Sequence, residues 1–138
     1  MEAPKRIVLD TTIIVKHLRG KREETELVEK LQQVSSVATT IVNSFEVYYG
    51  AYKSKQVAKN VSSAKGILGT LEILGLSKTS PELAGKVMAE LESEGKTLDP
   101  RDALIGSSEN GYSVLTLNSK HFERIPALQV LEPEEIRF

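Results

Sequence analysis

Four acidic residues stand where a carboxylate could do chemistry. Asp10 closes the apolar run "RIVLD", Glu46 lies within "NSFEVYYG", and Asp99 and Asp102 share the segment "LDPRDALIG". Burying an acid beside apolar residues is costly unless it has partners. Several acids gathered at one place also raise each other's pKa values unless cations lie between them. An oxygen-ligand site for Mg²⁺ or Mn²⁺, suited to phosphodiester hydrolysis, is the chemistry that these residue types predict.

Each acid also has a purely structural interpretation. Asp10 and Asp99 could cap the helices that follow them, Glu46 could be a solvated helix residue, and Asp102 could be stabilised by a helix dipole. Capping is the favoured role for Asp99, so its part in a metal site is left open. The two histidines, His17 and His121, lack the spacing of metal ligands and are predicted to be surface or packing residues.

Composition excludes several classes of site. The chain of 138 residues contains no cysteine, which rules out disulfides, thiolate metal sites and cysteine nucleophiles. No apolar run approaches the ~18 residues of a membrane span, and the first residues do not resemble a signal peptide. We therefore expect a cytoplasmic protein without a membrane partner.

The net charge of −1 hides an uneven distribution of charge. Two basic groups precede an acidic region. The first basic group is Lys16, Arg19, Lys21 and Arg22, and the second is Lys53, Lys55, Lys59 and Lys65. The acidic region contains Glu82, Glu90, Glu92, Glu94, Asp99, Asp102 and Glu109. Such an arrangement can steer a polyanion towards a cation site, and solvated helix faces are the alternative interpretation.

Hydrophobic periodicity predicts short strands that alternate with helices. The predicted strands are 6–10, 37–39, 72–76, 112–117 and 128–131. The predicted helices are 13–18, capped by Thr11 or Thr12; 23–33; one through 45–52, capped from the threonines or Asn43; 56–71; one from Ser80-Pro81 to about 94; and one from Asp99 to Gly111. This alternation predicts an α/β sandwich with a largely parallel sheet.

In such a sheet the functional crevice lies beyond the carboxyl ends of the strands. Asp10 ends the first strand, and Glu46 lies early in the helix after the second. Asp102 lies in the first turn of the helix that precedes the strand 112–117, and Asn118 follows that strand. All four are therefore predicted to meet at one edge of the sheet.

Four segments, taken in order, resemble the PIN-domain family. They are "VLDTT", "NSFEVYYGA", "DPRDALIGSS" and "VLTLNSKHFERIPALQV", and they span residues 8–130. Within that family they are most similar to the small stand-alone ribonucleases that act as toxins of VapBC-type toxin–antitoxin pairs. The resemblance implies a three-layer α/β/α PIN-like sandwich with a central, mostly parallel sheet, and a single nuclease domain over residues 1–138.

The same resemblance implies roles for individual residues. Asp10, Glu46 and Asp102 match the family's metal-binding acids, and Thr12 matches a small polar residue that supports the site. The fourth acidic position of many members is Asn118 here. This departure predicts one firmly held metal ion and a weaker second site.

The family implies an endoribonuclease that depends on Mg²⁺ or Mn²⁺ and leaves a 5′-phosphate. It also implies a homodimer, and a cognate antitoxin protein that covers the acids. Arg19 and Lys53 are candidates for holding the phosphates of the RNA substrate. Phe45, Tyr48 and Tyr49 are candidates for burial against the partner subunit or the antitoxin.

Three other classes of protein also place acids at this edge of a sheet. Phosphatases like the haloacid dehalogenases need a second acid two residues after the first, where this chain has Thr12. Receiver-like domains need adjacent acids early in the chain, which are missing here. The third class, a PIN-like module that binds RNA or protein but cleaves weakly, stays open because of Asn118.

Overall fold

The computed structural model describes residues 1–107 and 111–138. Its strands are β1 (Arg6–Leu9), β2 (Ser36–Thr40), β3 (Glu72–Leu74), β4 (Ser113–Leu115) and β5 (Val130–Leu131). Its helices are α1 (Thr11–Leu18), α2 (Arg22–Val34), α3 (Ile41–Tyr52), α4 (Val57–Leu68), α5 (Thr79–Ser93) and α6 (Pro100–Gly106), with short 3₁₀ turns at Ser119–His121 and Pro133–Glu135.

The five strands form one sheet in the order β3-β2-β1-β4-β5. Every pairing between these strands is parallel, and Val8 of β1 is in register with Ala38 of β2 and with Val114 of β4. The predicted parallel sheet is confirmed. β1 lies at its centre, which explains why the run "RIVL" is almost wholly apolar: both faces of a central parallel strand are buried.

Successive side chains of β1 point to opposite faces of the sheet and enter two separate cores. Ile7 and Leu9 pack in a core with residues of α1 to α4, whereas Val8 packs in a second core with residues of α5 and α6. The sheet therefore lies between two helical layers, and the α/β/α sandwich is confirmed.

The starts of α2 and α4 differ by one residue from those predicted, and the starts of α1 and α5 differ in a way that changes their caps. α1 already includes Thr11 and Thr12, whereas Asp10 takes the N-cap position without forming a side-chain cap. α5 begins at Thr79, which places Pro81 third in the helix instead of first. Proline is tolerated there because the N–H groups of the first turn have no partner within the helix.

The end of β4 is also earlier than predicted. Beyond Leu115, the N–H groups of Leu117 and Asn118 donate to the hydroxyls of Thr12 and Thr116 instead of to a neighbouring strand. α6 ends at Gly106, so the predicted extension to Gly111 crosses residues 108–110, which lie outside the described residues. Across the described part of the chain, no helix is long and apolar enough to cross a membrane.

Candidate active site

The site lies where the chain reverses its direction of travel across the sheet. From β1 the chain adds β2 and β3 on one side, and it then returns to add β4 and β5 on the other. The carboxyl ends of β1 and β4 border the crevice that such a reversal creates. The N–H of Asp10 donates to the carbonyl of Leu115 at 2.9 Å, so the ends of the two strands are joined at this point.

Asp10 is buried, with 5% of its surface exposed, and its carboxylate accepts three side-chain hydrogen bonds. Thr12 and Thr116 donate to Oδ2 from their hydroxyls at 3.0 and 2.8 Å, and Asn43 donates to Oδ1 from Nδ2 at 3.2 Å. These donors satisfy a charge that would otherwise be costly to bury. Asp10 takes the N-cap position of α1, but its carboxylate accepts no backbone N–H of that helix, so the prediction of a side-chain cap is wrong.

Asn43 connects this carboxylate to the start of α3. Thr40 caps α3 by accepting from the N–H of Asn43, and Asn43 Oδ1 accepts from the backbone and the hydroxyl of Thr40. The amide nitrogen is therefore left to donate to Asp10 and to the hydroxyl of Thr11 at 2.9 Å. The sequence indicated only a capping role for Asn43, and its contact with Asp10 was missed.

Glu46 lies one turn further along α3, facing α1 and α6. Its Oε1 accepts from the hydroxyl of Thr11 at 2.9 Å, and its Oε2 lies 3.3 Å from Nη1 of Arg101. The side chain is 20% exposed. Glu46 therefore belongs to the crevice, and it is more than a solvated helix residue.

The first turn of α6 carries the remaining acids. Asp99 accepts from the N–H of Arg101 at 2.8 Å, which confirms its predicted role as N-cap. The guanidinium of Arg101 also lies within 3.3 Å of the Asp99 carboxylate, so it bridges Asp99 and Glu46. Arg101 was not predicted as a site residue, although its place directly before Asp102 in the first helical turn was an available signal.

The pKa of Asp102 is affected by its burial and by the charged residues around it. The pKa of Asp102 is raised from 3.8 to about 6, and burial is the main cause. His121 lowers this pKa, and the negative charges of Asp99, Asp10 and Glu46 make smaller contributions that raise it. His121 places Nδ1 3.5 Å from Oδ2 of Asp102. Asp10 and Glu46 are therefore near enough to Asp102 for their charges to act on its carboxyl group.

His121 and His17 have different surroundings. His121 is exposed, and the sequence did not predict that it would lie beside an acid of the crevice. His17 is half-buried and hydrogen-bonds through Nδ1 to the hydroxyl of Thr25 at 3.0 Å, and burial lowers its pKa. His17 is thus a packing residue, as predicted.

Asn118 lies at the rim of the crevice. It is exposed directly after Leu117, and its backbone N–H donates to the hydroxyl of Thr116 at 3.0 Å. The segment after β4 reaches Asp10 through Thr116. Thr116 is thus a supporting residue that the sequence-based prediction did not include.

A cation would have only oxygen ligands among these acids, which is the ligand type that Mg²⁺ and Mn²⁺ prefer. Within residues 1–107 and 111–138, no three acidic or histidine side chains form a group that could hold an ion directly. The residues present fit an ion that keeps several bound waters and contacts few carboxylates. Mg²⁺ is usually bound in this way in proteins.

Comparison with known proteins decides the family. A family model described as "PIN domain" matches residues 7–128. The chain belongs to the PIN domain family.

Curated relatives of this PIN domain carry names of the VapC group. The chain is 28% identical to the "tRNA(fMet)-specific endonuclease VapC" of Salmonella typhimurium, over 91% of this chain and 96% of that protein. It is also 28% identical to "Ribonuclease VapC2" of Haemophilus influenzae, over 88% of this chain and 93% of that protein.

Solved structures with a similar fold include VapBC proteins bound to DNA. A chain of VapBC2 from Rickettsia felis, bound to a promoter DNA fragment, matches this PIN domain with a TM-score of 0.83 and 29% identity, covering 91% of this chain and 97% of that one. A chain of DNA-bound VapBC from Salmonella typhimurium matches with a TM-score of 0.81 and 26% identity, covering 93% and 98%.

Two clefts flank the acids of this PIN domain. One is a groove of about 440 Å³ between α1, α3 and α4, with Glu46 and Arg19 in its lining. The other, of about 250 Å³, is lined by Asp99, Asp102 and basic residues of the segment after β4, which are Lys120, His121 and Arg124. Lys53, by contrast, places its ammonium 4.9 Å from the centre of the Tyr49 ring.

The outer surface of α3 is aromatic. Phe45 and Tyr49 are 58% and 52% exposed, and their rings stack with centroids 6.0 Å apart. Tyr52 is also exposed, whereas Tyr48 packs against the core on this side of the sheet. Of the three aromatic residues predicted to meet a partner, Phe45 and Tyr49 are therefore accessible.

Proposed function

We propose that this PIN domain is an endoribonuclease that depends on Mg²⁺ or Mn²⁺. One observation carries the proposal: Asp10, Glu46 and Asp102 lie at the same edge of the sheet, where burial, together with the nearby negative charges, raises the pKa of Asp102 to about 6. A bound cation would offset those negative charges. The names of the curated relatives, an endonuclease that is specific for a tRNA and a ribonuclease, support RNA as the substrate.

In this proposal Asp10, Glu46 and Asp102 hold the ion, directly or through water. A bound Mg²⁺ or Mn²⁺ supplies a more acidic water and offsets the negative charge of a phosphodiester. Thr12 and Thr116 orient the carboxylate of Asp10 through its Oδ2. Such outer-shell hydrogen bonds keep a ligand in its binding rotamer and so preserve metal affinity.

Asn118 has a limited role in the same proposal. Its exposed side chain offers a neutral amide at the rim, where many family members carry an acid. An amide contributes an oxygen but no negative charge, so a second ion would bind there weakly. We propose one firmly held ion and a second that depends on the substrate.

We further propose that residues 1–138 act as one nuclease unit, as the toxin of a VapBC-type pair. The similar structures described as VapBC complexes support a cognate antitoxin as partner. The exposed rings of Phe45 and Tyr49 support a homodimer or an antitoxin contact, because aromatic residues are enriched in protein interfaces.

The nuclease proposal is tested by incubating the purified, antitoxin-free protein with tRNA, rRNA and mRNA in Mg²⁺ or Mn²⁺. We expect cleavage that stops in EDTA and in the Asp10→Asn and Asp102→Asn variants. The Glu90→Gln variant, which changes an exposed acid on α5, is the matched control and should cleave like the wild type.

Two outcomes would contradict the proposal. Equal cleavage by the wild type and both aspartate variants, with or without EDTA, would show that the carboxylates do not act through a metal. Absence of cleavage on every RNA, while the protein still binds RNA or its partner, would favour the weakly catalytic binding module. Thermal unfolding of each variant checks that the protein is folded.

A further inference from the structure

A groove between α1, α3 and α4 includes one of the candidate acids. Glu46 lies in its lining, and the other lining residues come from α1, α3, α4 and the turn between α3 and α4: Val15, Leu18, Arg19, Val47, Gly50, Ala51, Ser54, Lys59, Asn60 and Ser63. We call this cleft the Arg19–Lys59 groove. Its volume of about 440 Å³ falls within the usual size of small-ligand sites.

The charge of the Arg19–Lys59 groove favours an anion. Arg19 and Lys59 are both exposed, and they enter the groove from different helices. Among the described residues that line it, Glu46 is the one acid, and Arg101 is already paired with its Oε2. A ligand that carries phosphate groups is therefore attracted to the groove beyond Glu46.

Arg19 also connects the groove to the region around Asp10. It lines a second, smaller cleft of about 290 Å³ together with Thr11, Thr12 and Leu117. Thr12 donates to Asp10, and Thr11 donates to Glu46. A polyanion bound in the groove would therefore pass next to Thr11 and Thr12, which hold Glu46 and Asp10.

The remaining lining suits a nucleoside. The half-buried Val15 and Leu18 form an apolar part of the lining that can contact a base. Asn60 and Ser63 add polar groups on the α4 side, where Nδ2 of Asn60 donates to the hydroxyl of Ser54 at 2.8 Å. Groups of this kind can bind the 2′-hydroxyl or a base edge of single-stranded RNA.

We propose that the Arg19–Lys59 groove binds the nucleotide of single-stranded RNA that flanks the cleaved bond, with Arg19 and Lys59 on its phosphates. This inference rests on the proposed nuclease function and deepens it. It replaces Lys53 with Lys59 as the second phosphate-binding residue, because Lys53 lies over the Tyr49 ring. The groove supplies affinity and position, and the acids supply the chemistry.

The test is the binding of a short, fluorescein-labelled single-stranded RNA by anisotropy, in EDTA so that no cleavage occurs. We expect Arg19→Gln and Lys59→Gln each to weaken binding roughly three- to tenfold in low salt. The slope of log affinity against log salt should fall by about 0.7 for each variant, since each removes one phosphate contact with a single strand. Photo-crosslinking of 4-thiouridine RNA should label residues of α1, α3 or α4.

Matched controls come from the same region. Lys65→Gln removes an exposed charge from α4 outside the groove lining, and Lys53→Gln removes the charge above Tyr49. Both should keep the salt slope of the wild type. Equal slopes for the groove and control variants, no measurable RNA binding, or crosslinks confined to elements other than α1, α3 and α4 would overturn the proposal.

Separate failures of the two proposals are distinguishable. Metal-dependent cleavage with groove variants that bind and cleave like Lys65→Gln would remove the subsite and leave the ribonuclease standing. RNA binding that depends on Arg19 and Lys59 without any cleavage would support the groove and contradict the nuclease. Loss of antitoxin binding in the groove variants, with RNA binding unchanged, would assign the groove to a protein and overturn the inference.

Discussion

Nδ2 of Asn43 lies 3.2 Å from Oδ1 of Asp10, and this buried hydrogen bond joins the start of α3 to the end of β1. The same amide donates to Thr11, while its oxygen is held by Thr40. One side chain therefore completes the cap of a helix and also orients a carboxylate of the candidate site. Stability and the geometry of the site are coupled through it.

The Asn43→Ala variant should be markedly less stable than the wild type. It leaves Oδ1 of Asp10 short of a donor in a buried position, and such a loss costs about 1–3 kcal/mol of unfolding free energy. Urea denaturation followed by circular dichroism measures the change. Asn60→Ala, which removes a half-buried amide bonded to Ser54, is the matched control and should cost less. Equal losses in the two variants would show that the bond to Asp10 adds nothing.

The hydroxyl of Thr116 should be needed for metal affinity. Thr116→Val keeps the shape of the side chain but removes the donor to Asp10, and outer-shell changes of this kind typically cost about 10- to 100-fold in affinity or activity. Thr116→Ser keeps the hydroxyl and should retain most of the affinity. Titration calorimetry with Mn²⁺ is the measurement. Wild-type affinity in the valine variant would refute the supporting role.

The stability of the metal-free protein should change with pH through Asp102. Its pKa is 3.8 when unperturbed and about 6 in the folded protein, so the folded state favours the protonated acid. The stabilisation from this group is full below about pH 4 and is lost as the pH rises through about 6. Asp102→Asn should therefore be more stable than the wild type at pH 8, by roughly 1–3 kcal/mol, with little difference at pH 4.

The neighbouring acid supplies a control of opposite sign. The side-chain and backbone hydrogen bonds from Arg101 lower the pKa of Asp99, so its stabilisation is present above its unperturbed pKa and is lost as the pH falls through the folded value. Asp99→Asn should thus lose stability relative to the wild type at neutral pH, when measured by urea denaturation in EDTA. A gap between Asp102→Asn and the wild type that does not vary with pH would contradict the prediction.

Arg101 should compete with the metal for Glu46. Its Nη1 lies 3.3 Å from Oε2 of Glu46, and a positive charge there opposes a second cation. Arg101→Ala should therefore bind Mn²⁺ roughly three- to tenfold more tightly. This corresponds to about 1 kcal/mol of binding free energy for the removal of one nearby charge in a solvated site. Arg22→Ala, which breaks a remote surface ion pair with Glu26, should leave the affinity unchanged. Weaker binding by Arg101→Ala would instead show that Arg101 positions Glu46 for the metal.

Much of the fold could be predicted from local patterns. The apolar run "RIVL" predicted a buried strand, and Asp99-Pro100 predicted the start of α6, because hydrophobic periodicity and capping depend on residues close together in sequence. The alternation of strands and helices then placed Asp10, Glu46 and Asp102 at one edge of a parallel sheet. Their roles as metal ligands stay predictions.

The sequence by itself thus determined the parallel α/β fold and the edge at which its acids meet. Only the tertiary structure decided the partners of those acids. Asp10 and Thr116 are 106 positions apart in the chain, and Thr11 and Glu46, which share a hydrogen bond, are 35 positions apart. Arg101 pairs with Glu46 because α3 and α6 begin at the same edge of the sheet. No local pattern encodes such distances: they depend on how the strands pair and on how helices from distant parts of the chain pack at one crevice.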